Sequence, residues 1–460
     1  MQEIHVSDKN ISFSYLRLNR YLNEREQGWT QNIWPTSEYF LLSLGGEAMN
    51  IRSGSDYKVI ILLSLGFGLV GLDRFMILPM FPVLRESLGI GYQDIGLITG
   101  ILSIAWGISS VLMGNAADWL GRRVIVVASL IAFSLAVGLS GFAVGLLSLL
   151  FLRALIGLLE GAFAPAALML NFEHSEPEHV GRNIGMMQAA LPFFGLALAP
   201  IIVTQLLTVV AWHYVFAFLA IPGFLTALLL WRSLKRGGAD PAELQAFRDE
   251  TTVARWREAL SYRNVKVNLF CICCWMACLI VTSALMPSYL MDYLHLDLAR
   301  MGYVLSATGF GATLGGFVMP WLSDRIGRKT VASINALGTA TFIILLSVLG
   351  PEPFPLFCAL FGIAFFLYNL MGMTLGTMTA ESVPAHIGAT ASGLVIGVGE
   401  IFGSGVIPIV AGFAAQHYGI RSILFIGLGA TLIGLVALLG YRSNTVGQYS
   451  AEGRSATVAG

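Results

Sequence analysis

Apolar runs of similar length recur along most of this chain, separated by short connectors that carry charges, glycine or proline. A transmembrane helix needs about 20 predominantly apolar residues, and each run is roughly that long. The pattern predicts twelve membrane-spanning helices, at approximately 59–84, 92–113, 124–143, 145–170, 184–209, 212–233, 267–291, 300–322, 330–350, 354–380, 391–415 and 420–440.

The composition supports that prediction, because 56% of the 460 residues are hydrophobic and only 12% are charged. Soluble proteins carry about 25% charged residues. Basic and acidic side chains balance at 27 each, so no basic surface for nucleic acid is expected. We therefore expect an all-α integral membrane protein that lies in the lipid bilayer as a monomer and has no nucleic-acid partner.

Several other activities find no support in the sequence. No G-x4-G-K-[ST] motif for ATP occurs, and no Ser/His/Asp arrangement indicates a hydrolase, so we expect no enzyme activity. The five cysteines lie inside apolar runs without histidine or carboxylate at helical spacing, which favours packing over a metal site. We expect neither a cofactor nor a metal.

One long hydrophilic segment, 235–266, divides the predicted helices into two sets of six. The expected domains are an N-terminal extension, a first six-helix bundle, a linker, a second six-helix bundle and a tail, at 1–57, 58–234, 235–266, 267–440 and 441–460. Translation from Met49, just ahead of the first helix, remains an alternative to an extension that begins at Met1.

Lysine and arginine lie mainly on one side of the predicted helices, the side that carries the linker. The other side holds only Arg85, Arg300 and Arg421. The positive-inside rule therefore places the linker and both termini in the cytoplasm, in a plasma (inner) membrane.

A ten-residue segment after the second helix is repeated in the second half of the chain. The first copy reads GNAADWLGRR from Gly114, and the second reads PWLSDRIGRK from Pro320, so that the two aspartates are 206 residues apart. Each copy follows the second helix of its half, which indicates an internal duplication.

Both copies resemble the G-x3-D-(R/K)-x-G-R-R loop of the major facilitator superfamily, from which Trp119 and Pro320 depart. The resemblance covers nearly all of 58–440 and implies two pseudo-symmetric six-helix bundles with a site near the midplane. In such a loop the aspartate faces the positive end of a helix of the other half, and the arginines hold it there. The resemblance implies gate residues that stabilise an outward-open state: Gly114, Asp118, Gly121, Arg122, Arg123, Asp324, Arg325, Gly327 and Arg328.

Charged residues also occur within the predicted helices, where each costs about 2.5–3.5 kcal/mol on insertion scales. Asp73 and Arg74 are adjacent in the first helix, and Arg153 and Glu160 lie two turns apart on one face of the fourth. Two acids and two guanidiniums would make a cluster that is neutral when empty.

The chain resembles, more narrowly, the anion:cation symporter family of proton-coupled organic anion carriers. The superfamily pattern R-x3-G is present in the fourth helix as Arg153 and Gly157, and the seventh helix contains a P-x-Y-L stretch from Pro287 to Leu290. The resemblance implies proton-coupled uptake of a small carboxylate.

The charges fit such a mechanism. We expect Arg74 to bind the substrate carboxylate, Glu160 to carry the coupling proton, and Asp73 to pair with Arg153 for coupling and gating. By rise per residue, Asp73 and Arg153 lie at matching depth, and Arg74 points toward Glu160. The alternative is that these residues are buried ion pairs that only fix helix packing.

Glu400 lies near the middle of the eleventh helix, with no cation at comparable depth in the second half. It is expected to carry a second proton, donate to the substrate or meet a cationic substrate group. The alternative is that it faces water on the linker side or only forms a structural hydrogen bond. Other residues expected to line the cavity, or alternatively to hydrogen-bond between helices, are Gln188, Tyr289, Tyr368 and Asn369.

The sequence thus predicts a proton-coupled symporter for a small organic acid, with protons as its second cargo. The alternative is a proton/drug antiporter that exports apolar or cationic compounds. Glu400 favours the antiporter, whereas Arg74 and the incomplete antiporter pattern from Gly195 to Pro200 disfavour it. A non-transporting sensor is less consistent with the chain, since the linker contains no recognisable signalling domain.

Overall fold

The computed structural model describes residues 56–176, 178–234 and 252–442 and, within these ranges, the backbone alone at 111–120, 252–255, 385, 386 and 389. Most of the predicted extension 1–57 and tail 441–460 lies outside the described residues, as does 235–251 of the predicted linker. The domain boundaries therefore stay a prediction.

Each predicted apolar run coincides with a helix in the described part of the chain. The first bundle contains α1 (Tyr57–Leu88), α2 (Tyr92–Leu120), α3 (Arg122–Ser140), α4 (Leu146–Glu173), α5 (Val180–Val209) and α6 (Trp212–Ser233). The second contains α7 (Arg263–Tyr293), α8 (Leu298–Ile326), α9 (Arg328–Val348), α10 (Pro353–Ala380), α11 (Ala385–Val398 continued by Gly399–Val406 and Ile407–Tyr418) and α12 (Ser422–Leu438). Ten helices among the described residues are long and apolar enough to cross a membrane.

The duplication seen in the sequence is also present in the packing. Helix α2 lies along α4 in the first bundle, and α8 lies along α10 in the second. These pairs occupy equivalent positions, since each joins the second and fourth helices of its bundle. The fold is therefore all-α, with two pseudo-symmetric six-helix bundles.

A single residue joins α2 to α3 and another joins α8 to α9: Gly121 and Gly327. Their φ angles are 84° and 93°, a left-handed region that glycine enters without steric cost. The tight turn alone therefore requires the glycine that precedes the basic pair in each repeated loop.

Helices α5 and α11 each contain a wider, π-helical segment, Phe193–Leu198 and Gly399–Val406. The regular helix that follows each segment has a proline in its first turn, Pro200 or Pro408. Proline lacks a backbone N–H, so the regular hydrogen-bond ladder is interrupted there. Such segments are frequent at functional sites, and the second one contains Glu400.

The bundles contact each other through α1, α2 and α5 on one side and α7, α8 and α11 on the other. The backbone at Gly96 on α2 approaches Pro408 on α11, and Gly302 on α8 approaches Thr204 on α5. These contacts lie toward the end of the molecule away from the linker, which we call the opposite end. The end with the two one-residue turns is the linker end.

Candidate substrate and proton site

Asp73 and Arg74 are neighbours near the middle of α1 and face different partners, because successive helical side chains point about 100° apart. Asp73 faces α4 of its own bundle. Arg74 faces α2 and, across the bundle interface, α11. Two adjacent charges therefore belong to two networks. The first network joins Asp73 to α4, and the second joins Arg74 to α2 and α11.

Arg153 on α4 is the cation of the first network. Its Nη1 atom donates a hydrogen bond to the backbone carbonyl oxygen of Asp73 at 3.1 Å and lies 3.8 Å from Asp73 Oδ1. Both side chains are buried, and the ring of Phe216 lies 6.0 Å from the guanidinium carbon. The predicted contact of Asp73 with Arg153 is confirmed as an ion pair, while its role stays a prediction.

Glu160, two turns further along α4, faces the same carboxyl group. The carboxyl groups of Asp73 and Glu160 lie within hydrogen-bonding reach of each other, and both are buried. Neither receives a hydrogen bond from a described donor. Two carboxylates only accept hydrogen bonds, but one bound proton would convert them into a hydrogen-bonded pair. This pair of acids is therefore suited to hold a single proton.

Arg74 is the cation of the second network. Its Nη2 atom lies 2.6 Å from Glu400 Oε2, and its Nη1 atom lies 3.3 Å from Glu400 Oε1. Nη2 also donates to the Ser103 hydroxyl at 3.1 Å, and the Trp106 ring lies 5.8 Å from the guanidinium carbon. The Arg74 and Glu400 side chains are only 10% and 7% exposed, so this is a buried ion pair between the bundles.

The structure adds a partner of Arg74 that the sequence did not predict. Depth along the helices placed Arg74 within reach of Glu160, and the two side chains do interact electrostatically. The guanidinium forms its ion pair, however, with Glu400. Glu400, which has no cation in its own half at that depth, obtains one from the first bundle.

A small cavity is bordered by the cations of both networks. Residues of α1, α2, α4 and α7 line it, among them both arginines, Thr99 and Ser103. Its remaining walls are apolar, with side chains such as Leu102 and Ile280. Small-ligand sites typically combine apolar walls with a few polar groups, and here the polar groups are those an anion requires.

Two of the other expected site residues lie on α10. Tyr368 is half-buried within electrostatic reach of Arg74 and Glu400. Asn369 is buried and directs its amide nitrogen to the Met373 sulfur at 3.2 Å, a contact within its own helix. Tyr368 is therefore close to the second network, and Asn369 packs within α10.

Tyr289 and Gln188 lie in different surroundings. Tyr289 is buried in the part of α7 that lies at the opposite end of the molecule. Its ring stacks on that of Tyr293, with 5.3 Å between the centroids. Gln188 is exposed on α5. Their predicted contacts with substrate stay predictions.

A second polar contact joins the bundles at the opposite end. Arg85 at the end of α1 forms an ion pair with Asp292 at the end of α7, with Nη1 2.6 Å from Oδ2. The Tyr92 hydroxyl donates to the same oxygen at 2.7 Å, and the Tyr92 backbone N–H donates to Gln416 Oε1 at 2.9 Å. Helices α1 and α2 are thereby tied to α7 and α11.

At the linker end, the two repeated loops form equivalent ion pairs inside their bundles. Arg122 pairs with Glu173 at the end of α4. Arg328 pairs with Asp324 and, at 2.9 Å, with Glu381 next to the end of α10. Each loop is thus attached to the fourth helix of its own bundle.

Other arginines of these loops lie over tryptophan rings. The Arg123 guanidinium carbon is 4.4 Å from the Trp231 ring centroid, and that of Arg325 is 4.0 Å from the Trp321 ring centroid. The side chain of Asp118, like position 114, lies outside the residues described with side chains. The gating roles stay predictions.

Several residues of these networks were missed by the sequence interpretation. Ser103 and Trp106 are three residues apart on one face of α2, and a hydroxyl in the middle of an apolar run was a usable signal. Glu173 and Glu381 are 208 residues apart, close to the repeat of the loops, so extending the duplication would have found them. For Asp292, near a helix end, no such signal exists.

Comparison with known proteins indicates the family to which this chain belongs. The family model of the Major Facilitator Superfamily matches residues 63–401 and 269–456. The sialic acid transporter NanX of Escherichia coli (strain K12) is 24% identical over 382 residues, 82% of this chain and 92% of that protein. The D-galactonate transporter of Escherichia coli O6:H1 is 23% identical over 412 residues, 83% of this chain and 94% of that protein.

The fold has a solved counterpart. A bacterial homologue of the human lysosomal transporter Spinster, in an inward-facing and unoccupied conformation, superposes with a TM-score of 0.68 at 17% identity, over 85% of this chain and 98% of that one. The relatives named as organic acid transporters agree with the resemblance to the anion:cation symporter family. This protein is a multi-pass membrane transporter, not an enzyme, and it belongs to the Major Facilitator Superfamily.

Proposed function

We propose that this protein is a proton-coupled symporter that takes up a small organic acid anion by alternating access. One observation carries the proposal: three buried carboxyl groups and two buried guanidiniums meet around the middle of α1. Fully ionised, they carry one net negative charge, so one bound proton makes the cluster neutral. The five groups belong to Asp73, Glu160, Glu400, Arg74 and Arg153.

Arg74 is the substrate-binding residue in this proposal. Its planar guanidinium binds a carboxylate at two points, and it borders the small cavity beside α1. Tyr368 and Ser103 supply hydroxyl groups nearby. Gln188, Tyr289 and Asn369 are further candidates for contact with the substrate in other conformations.

Glu160 and Asp73 hold the coupling proton in this proposal. Their carboxyl groups face each other without a hydrogen-bond donor, so a proton shared between them replaces repulsion with a hydrogen bond. Arg153 fixes Asp73 in this arrangement. An anion that enters next to these groups is stabilised when a proton enters with it, because a low-dielectric interior disfavours net charge.

Alternating access needs a gate at each end of the cavity. We assign the linker-end gate to the repeated loops with Asp118, Arg122, Asp324 and Arg328. In the proposed orientation the linker end is cytoplasmic, both termini are cytoplasmic, and the protein acts as a monomer in the inner membrane. The bundles 58–234 and 267–440 would then move about the central site.

A proton/drug antiporter is the alternative function. It was favoured by Glu400 as a buried acid without a cation, the group that a cationic drug would seek. Arg74 forms an ion pair with that carboxylate, so Glu400 no longer favours the antiporter over the symporter. The names of the sialic acid and D-galactonate transporters also favour an acid as the cargo.

A thermal-shift screen of carboxylic acids on the purified protein, followed by uptake and proton-flux assays in liposomes, tests the proposal. Arg74→Ala should abolish acid binding, whereas Arg300→Ala, at a 67% exposed arginine, should preserve it. Glu160→Gln should uncouple proton flux from acid flux. Acid binding that survives in Arg74→Ala, or proton flux that persists unchanged in Glu160→Gln, would contradict the assignments.

A further inference from the structure

Glu400 holds Arg74 in the way that a substrate carboxylate would. Both carboxylate oxygens accept from the guanidinium, at 2.6 and 3.3 Å, and the pair is buried between the bundles. The two-point geometry is the one that makes arginine the preferred residue for binding carboxylates. In this conformation the residue proposed to bind substrate therefore already binds a carboxylate of its own chain.

A substrate acid must displace Glu400 to reach Arg74. The displaced carboxylate would remain buried, since Glu400 itself is 6% exposed. Its surroundings show what it would then face. On α2 these are Ser103 and Trp106 beside Arg74 and the backbone at Gly107; Tyr368 faces it from α10.

Titratable groups around Glu400 come from each helix packed against it. Arg74 is the cation from α1, Tyr368 lies on α10, and Cys273 on α7 contacts α11 near Val398. The described part of α2 places no charged side chain beside it. Once Arg74 is taken by the substrate, no second cation is present among these described groups to replace it.

We propose that Glu400 is an internal competitor for the substrate carboxylate and that it leaves Arg74 by taking up a proton of its own. This inference rests on the proposed function. The empty cluster is fully ionised and returns with one net negative charge. On loading, one proton binds the Asp73 and Glu160 pair and neutralises that charge, and a second proton on Glu400 compensates the charge of the incoming anion. Two protons then accompany each monocarboxylate, and each cycle carries one net positive charge inward.

The position of Glu400 also links this exchange to the movement of the bundles. Glu400 lies in the π-helical segment Gly399–Val406 of α11, whereas Arg74 belongs to α1 of the other bundle. Protonation of Glu400 therefore removes an ion pair that crosses the bundle interface. Binding of acid and proton together loosens this contact at the centre of the molecule.

Glu400→Gln tests the proposal, because it keeps the size of the side chain and removes the titratable charge. The probe is whichever of sialic acid, D-galactonate, glucuronate or benzoate gives the largest uptake by the wild-type protein in liposomes. Wild-type uptake should increase severalfold under an inside-negative potential set with potassium and valinomycin. Glu400→Gln should respond to a pH gradient but not to the potential, and should bind the acid at pH 8 at least tenfold more tightly.

Glu352→Gln, at an exposed glutamate at the start of α10, is the matched control and should behave as wild type. Voltage-driven uptake by Glu400→Gln equal to that of wild type would overturn the inference. A ratio of one proton per acid for the wild-type protein, measured from reversal potentials, would also overturn it. That wild-type ratio requires no variant, so it decides the matter even if Glu400→Gln does not fold. Absence of proton-coupled acid uptake by wild type would instead contradict the proposed function itself.

Discussion

Arg85 and Asp292 connect the last turn of α1 to the end of α7, with 2.6 Å between Nη1 and Oδ2 and a second hydrogen bond of 3.4 Å between Nη2 and Oδ1. Tyr92 donates to the same carboxylate from the start of α2, and its ring lies 5.1 Å from the Arg85 guanidinium carbon. The contact spans the two bundles at the end where they approach each other. It therefore holds that end closed.

Removal of this pair should open the opposite end. The Arg85 and Asp292 side chains are 31% and 27% exposed, and an ion pair of that kind contributes about 1 kcal/mol or less. Arg85→Ala should thus raise the population of the opened conformation up to about fivefold. Spin labels at the exposed positions Glu86 and Ala299, in a protein without native cysteines, would report longer distances.

The charge swap Arg85→Asp with Asp292→Arg is the control for that experiment. If the ion pair acts as the gate, the swapped protein should return to the wild-type distance distribution. Distances that do not change in Arg85→Ala would show that backbone packing alone closes this end.

Gly309 should be essential to the closed arrangement of α8 and α5. A Cβ atom at position 309 would lie 1.9 Å from the backbone nitrogen of Ala197, a distance that no local adjustment relieves. Gly309→Ala should therefore separate α8 from α5 and lower the thermal unfolding temperature. Gly316→Ala, on the same helix with no atom within 4 Å of the added Cβ, should be neutral or slightly stabilising. Equal unfolding temperatures for the two variants would contradict the packing.

Loss of Arg153 should destabilise the protein in a pH-dependent manner. Arg153→Ala leaves the buried carboxyl group of Asp73 without its ion-pair partner, a change that costs about 3–5 kcal/mol in buried pairs. Protonation removes the unpaired charge, so the destabilisation should be larger at pH 8 than at pH 5. Thermal unfolding in detergent at both pH values measures it, with Arg300→Ala as the control. A loss of stability that is the same at both pH values would show that Arg153 acts through packing.

Ser103→Ala should weaken acid binding without altering the charge balance. The Ser103 hydroxyl accepts from Arg74 Nη2 at 3.1 Å, and hydrogen bonds to charged groups contribute about 1.5–3 kcal/mol. We expect at least a tenfold loss of affinity in a binding assay. Thr99→Val is the matched control, since Thr99 lines the same cavity but donates to Ile95 of its own helix. Equal affinities for the two variants would remove Ser103 from the site.

Local sequence was sufficient for the helices and for the depth of the charges. The run of apolar residues predicted α1 at 59–84. The helix itself spans Tyr57–Leu88 and so includes Arg85, which lies beyond the apolar run and pairs with Asp292. The duplicated loop likewise predicted equivalent turns, which are found at Gly121 and Gly327. The first inference depends on the hydrophobicity of one run of residues, and the second depends on the recurrence of a ten-residue pattern along the chain.

Pairing between helices was decided by the tertiary structure. The sequence placed Arg74 at the right depth and assigned it to Glu160, yet the guanidinium binds Glu400, 326 residues away along the chain. Depth follows from rise per residue, whereas the direction of a side chain toward a neighbour depends on the rotation and crossing of helices that pack only in the whole molecule. Sequence alone therefore determined that this protein spans the membrane with buried charges, and only the folded bundles determined which charges meet.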